Sequence, residues 1–184
     1  MHALPSENQY RLLLEHGFHD FFMAQWISIE DIDEVAQRLQ VTTEATSRCD
    51  FQTAMRSYGS KSQGPHRAWI ARLARGWSIV IYLNGLMLSS DPLTLGGQRA
   101  FDVSYISGIE EIDELFYTHD GTCNGSIYYE EEYQAYWQGL PYDITSTEGQ
   151  LEEYLCILGR VTGRFLDHDF FSSQGLLVQL PATD

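Results

Sequence analysis

Lysine is almost missing from this chain. Lys61 is the only one among 184 residues, and 11 basic side chains in all oppose 26 acidic ones, for a net charge of −15. A field of that sign repels nucleic-acid phosphates and anionic lipid headgroups and attracts basic partners. Nucleic-acid and membrane-surface binding are therefore excluded as expectations. Cysteine is scarce as well: Cys49, Cys123 and Cys156 are an odd count with no CxxC pair, which specifies neither a disulfide framework nor a zinc ribbon. No apolar run approaches the ~18 residues of a membrane span. The opening Met1-His2-Ala3-Leu4-Pro5 has no basic region followed by an apolar stretch, so no export signal is expected and the thiols point to a reducing cytoplasm. Phosphate cradles are absent: Gly96-Gly97 lacks dinucleotide spacing, and neither GxxxxGK[ST] nor a GxSxG nucleophile elbow occurs.

Packing material is plentiful. Aromatics make up 13% of the chain, which excludes a disordered polymer. A chain of this length buries roughly 70% of its unfolded surface, enough for a core without metal or disulfides. The expectation is one domain over residues 1–184.

Helical signals come first. Ser6 and Gln9 form a capping-box pattern before Leu12, Leu13 and Leu14, and Gly17 interrupts; a second helical run is expected from Phe18 to about Trp26. Ser28 is the expected cap of the next helix. Glu30, Asp31, Asp33 and Glu34 complement its dipole, and Ile29, Ile32, Val35, Ala36 and Leu39 share one face. Residues 42–66 read as a long connection with one helical turn around Phe51 to Met55.

Strands follow. A sheet is expected from about Ala68 to Tyr129. Trp77–Leu83, apolar on both faces, is its central strand, and Asn84-Gly85 is a turn. Phe101, Val103 and Tyr105 alternate with Asp102 and Ser104 as a half-buried strand. Leu115–Thr118 and Ser126–Tyr129 read as a hairpin. A last helix is expected from about Thr147, with an apolar stripe of Leu151, Tyr154, Leu155, Leu158 and Val161, stopped by Gly163. Leu176, Val178 and Leu180 suit a short terminal strand. Helices, then strands, then a helix predict an α+β fold: a mostly antiparallel sheet flanked by amino-terminal helices and one carboxy-terminal helix.

Chemistry-bearing residues are weakly organised. His16, His19 and Asp20 lie close together but specify no third metal ligand, and zinc needs three or four. Asp167-His168-Asp169 suits a raised-pKa acid, a metal ligand or, more simply, a solvated turn between aromatics. His119, Asp120 and Cys123 hold the residue types of a thiol site, yet Asp120-Gly121 is first of all turn chemistry. No metal, cofactor or catalytic residue is predicted.

Charge placement is more informative. Asp102 to Glu153 contains no Lys or Arg, whereas Arg48 to Arg75 holds six basic residues against Asp50 alone. Part of the acidity is expected to pair internally. The rest, unpaired, is expected to face solvent or a partner, because buried unpaired carboxylates are costly. Tyr117, Tyr128, Tyr129, Tyr133, Tyr136 and Trp137 are interleaved with it and suit interface hot spots as well as ordinary packing. The expected partner-binding residues are Glu110, Glu111, Asp113, Glu114, Glu130, Glu131, Glu132, Tyr133, Tyr136 and Trp137.

Several segments, taken in order, carry a resemblance: Gln25–Leu39, Gly76–Gly85, Leu95–Val103, His119-Asp120-Gly121 and Gly159–Gly163. Together they resemble an uncharacterised bacterial family, mainly from actinomycetes, with a helix, a Trp-led strand ending in Asn-Gly and a later Asp-Gly turn. The resemblance spans roughly residues 20–165. It implies a cytoplasmic bacterial α+β domain and no catalytic residues. This chain departs from it at Tyr82 and Leu83, where the family would carry an acidic residue.

The functional expectation is a non-enzymatic acidic protein-binding domain, in its most concrete form an immunity protein or antitoxin that blocks a basic toxin. The alternatives are a small hydrolase using Asp167-His168-Asp169, or a ligand-sensing regulatory domain.

Overall fold

The computed structural model describes residues 3–58, 65–109, 112–140 and 145–181. Among them, eight strands form one antiparallel sheet: β1 (Phe21–Ile27), β2 (Thr46–Cys49), β3 (Arg67–Ala74), β4 (Trp77–Tyr82), β5 (Arg99–Ile106), β6 (Phe116–His119), β7 (Thr122–Ser126) and β8 (Gly175–Gln179). Their order across the sheet is β2-β8-β3-β4-β1-β5-β6-β7. The helices are α1 (Gln9–Glu15), α2 (Ile32–Arg38), α3 (Phe51–Tyr58), α4 (Asp91–Thr94), α5 (Thr147–Thr162) and α6 (His168–Ser172). Helices lie at both ends of the chain around an antiparallel sheet, the α+β class expected.

Two cores explain why the central strands are apolar on both faces. Ile79 and Ile81 of β4 join Trp26, Trp69 and Phe101 in a core covered by α1, α3, α5 and α6. Val80 and Tyr82 turn the other way, with Ile27, Ile70 and Ala100, toward α2 and α4. Arg75 and Gly76 form the turn that joins β3 to β4. Gly76, at φ +79°, takes the left-handed conformation that favours glycine, and its N–H donates to Glu30 Oε2 at 2.7 Å.

The helix expected from Phe18 to Trp26 is the strand β1. Phe22, Ala24 and Trp26 face one core while Gln25 and Ile27 face the other. Burial on both sides erases the polar alternation that marks a strand, and the run then passes for a buried helix. Ser28 does not cap α2. Asp31 does, accepting from Asp33 N at 2.9 Å, while Ser28, just past the end of β1, donates its N–H to Arg99 O.

The connection expected over 42–66 holds β2 and the two-turn helix α3, anchored by Phe51 and Ala54. Residues 59–64 lie outside the described residues. The sheet therefore runs beyond the expected 68–129 at both ends, from Phe21 to Gln179, and β8 is an inner strand between β2 and β3. α5 starts at Thr147 and ends at Gly163, φ +79°, as expected, but its cap is Ser146, which the sequence reading did not single out and whose hydroxyl accepts from Gly149 N at 3.0 Å.

Candidate partner-binding surface

The acidic stretch is organised by a hairpin and a strap. Asp120 and Gly121, both at positive φ, make the two-residue turn between β6 and β7. The Asp120 carboxylate accepts from Gly96 N and Gly97 N, each at 2.9 Å, which ties the hairpin tip to the loop after α4 and holds its pKa below the usual carboxylate range. Beyond β7 the chain makes two 3-10 helices, Ile127–Tyr129 and Glu131–Trp137, where the sequence suggested a strand from Ser126.

The strap is fastened by its rings. Tyr133 is 2% exposed; its ring centroid lies 5.3 Å from Phe101 and 5.2 Å from Tyr117, and Arg99 Nη1 donates to its hydroxyl at 3.1 Å. Tyr128 packs edge-on against Trp137 at 5.0 Å and donates to Glu153 at 3.0 Å. Arg160 of α5 donates to Tyr136 O at 2.6 Å and to Gln138 O at 3.1 Å, closing the far end. Tyr133, expected on the partner-binding surface, thus belongs to the core. Tyr136 and Trp137 are half-buried, whereas Tyr129 is 80% exposed. Exposed aromatics were not separable from packed ones by sequence, because all of them lie among the same carboxylates.

The carboxylates divide. Asp113, Glu114, Glu131 and Glu132 are exposed and Glu130 is half-buried; Glu110 and Glu111 lie outside the described residues. Glu132 has a loose ion pair with Arg99 at 3.8 Å. Two acidic residues of the stretch are engaged internally. Glu152 is buried and its Oε2 accepts from Tyr10 N at 2.7 Å, satisfying a free amide of the first turn of α1. Asp102 sits largely buried in a chain of polar side chains: Tyr82 donates to Gln25, Gln25 to Ser90 at 2.6 Å, and Ser90 to Asp102 at 2.5 Å. Burial pushes the Asp102 carboxyl up to about 6.

A cleft of about 440 Å³ opens between the strap and the end of the sheet, lined by Trp77, Gln98, Arg99, Glu132, Tyr133 and Tyr136. Trp77 and Arg99 were not anticipated here, since β4 and β5 meet the strap only in three dimensions.

The other candidate clusters resolve differently. Asp167 caps α6 through Phe170 N at 2.6 Å and pairs with Arg164 at 3.0 Å, so it does not orient His168. His168 instead meets His16, with Nδ1 3.1 Å from His16 Nε2, and its Nε2 faces Glu7 at 3.4 Å and Glu15 at 3.7 Å. His19, paired with His16 by sequence spacing, is exposed. Cys123 is exposed on the edge strand β7, while the carboxylate of Asp120 is engaged with the two glycine amides. Among the described residues, no group of three or more His, Cys, Asp or Glu side chains is arranged to hold a metal ion, and no helix is long and apolar enough to cross a membrane.

No protein-family model, curated protein or solved structure matches the chain. Functional argument therefore rests on the surface itself.

Proposed function

We propose that this chain is a non-enzymatic acidic protein-binding domain. In its most concrete form it is an immunity protein or antitoxin that neutralises a basic toxin in the cytoplasm by direct binding. The observation that carries the reading is the polarity of the strap. Tyr133 turns inward onto Phe101 and Tyr117, leaving Glu131, Glu132 and Tyr129 outward on a backbone pinned by Arg160. A rigid acidic rim with one exposed aromatic suits rapid, charge-steered encounter with a basic surface. Affinity capture from the native host, with identification of the retained proteins, tests it. A basic protein that is toxic alone and harmless with this chain supports the reading; a catalytic turnover assignable to the purified chain overturns it.

A second reading, a ligand-sensing domain, draws on the cleft beside Arg99 and Trp77. A small polar molecule retained there through purification would favour it.

A further inference from the structure

The face of the sheet that packs on α2 and α4 is covered at one end of its strands; at the other, among the described residues, no helix lies over it and Met23 marks the margin of the covered core. Ile27, Val80 and Ala100 lie in the covered core. Moving away from that core along β5, register places Asp102 opposite Phe116, then Met23 opposite Ser104, and at the far end Phe21 opposite Ile106; strand alternation turns all six to the same face. Phe21, Ile106 and Phe116 pack against neither core, and Ile106 and Phe116 are 41% and 39% exposed. Apolar residues scattered singly over a surface are ordinary, but apolar residues grouped on one sheet face mark an interaction site.

Asp102 borders this face. Its Oδ1 accepts the Ser90 hydroxyl, and among the described residues no Lys or Arg forms an ion pair with it. A largely buried carboxylate without a cation costs free energy that an incoming guanidinium or ammonium would recover. The occupant follows from charge. Segments 12–37, 82–98 and 100–159, which build the face and its surroundings, contain no Lys or Arg. A second copy would bring like charges together, whereas a basic protein is complementary.

We propose that this bare sheet face docks a basic protein, whose aliphatic side chains cover Phe21, Ile106 and Phe116 while one lysine or arginine pairs with Asp102. The inference rests on the proposed function and deepens it: the strap governs encounter, and this face supplies the anchor.

The test is an NMR titration of the full-length isotope-labelled chain. The probes are a blocked amphipathic leucine–lysine peptide and its leucine–glutamate counterpart. The lysine peptide should shift the amides of Phe21, Met23, Ser104, Ile106 and Phe116, and the glutamate peptide should shift none. Asp102→Asn and Ile106→Ser should each weaken the lysine peptide about tenfold, with folding verified by the dispersion of the remaining resonances. Shifts confined to residues 129–137 would overturn the docking face and leave the acidic-domain reading standing. Shifts at neither surface would overturn both, and equal binding of the two peptides would refute the charge argument.

Discussion

His16 Nε2 lies 3.1 Å from His168 Nδ1, joining the end of α1 to the start of α6 across 152 residues of sequence. The His16 ring stacks on Phe171 with centroids 4.0 Å apart, and its Nδ1 is buried without a partner. Burial is the main cause lowering the His16 pKa, the neighbouring His168 lowers it further, and Glu15 opposes. The folded state then binds fewer protons than the unfolded chain, whose His titrates near 6.5. Stability contributed here is present above that value and falls as pH drops below it. Asp102 opposes this in the same range, so the decline should show in urea denaturation of Asp102→Asn between pH 7.5 and about 5.5, and adding His16→Asn should flatten it. An unchanged slope in the variant would show that the pair is not responsible.

Asp102 has the opposite sign. With a folded pKa of about 6 against 3.8 unfolded, its contribution is fully present below about pH 4 and is lost as pH rises through 6. Asp102→Asn keeps an acceptor for Ser90 and stays neutral, so it should stabilise the fold at pH 7. The shift corresponds to an upper bound on the order of 3 kcal/mol. Equal or lower stability of Asp102→Asn at pH 7 in urea melts would contradict the assignment.

Much of the framework was legible because local signals agreed with tertiary placement. Trp77–Tyr82 and the α5 stripe with its Gly163 stop carry their reasons in adjacent residues. β1 was misread because its two buried faces remove the period that separates strand from helix. The acidic rim at Glu131 and Glu132 was legible as charge, but the inward turn of Tyr133 was not, since it depends on Phe101, Tyr117 and Arg99 from other strands. The His16–His168 contact and the bare face at Ile106 arise from register and helix packing, which leave no trace in local spacing.

Glu152 tests how the buried acidity is used. Glu152→Leu leaves Tyr10 N without its acceptor and should cost about 2–3 kcal/mol, whereas Glu152→Gln keeps an oxygen and should cost about 1 kcal/mol or less. Equilibrium denaturation distinguishes the two; equal losses would mean that packing, and not the hydrogen bond, sets the cost.

Gly175 lies where β8 crosses Trp69. A Cβ there would stand 2.4 Å from Trp69 Cε2 and 2.7 Å from Ile70 O. Gly175→Ala should therefore destabilise by about 1–3 kcal/mol through overpacking. A thermal midpoint equal to that of the unaltered chain would show that the indole can move aside at no cost.

Recruitment of a basic protein by exposed carboxylates on a fixed strap is the proposed function. Its most direct test is the association rate of the captured partner, measured by stopped flow. The chain with Glu130, Glu131 and Glu132 all changed to lysine is compared with the unaltered one at low salt and at about 0.2 M, where screening shortens below ~10 Å. The on-rate of the unaltered chain should fall at least about tenfold with salt, the triple reversal should cause a comparable fall at low salt, and stability should change little. Tyr129→Ala should act instead on the off-rate. On-rates independent of both salt and the reversal would contradict the account and return the acidity to a role in solubility.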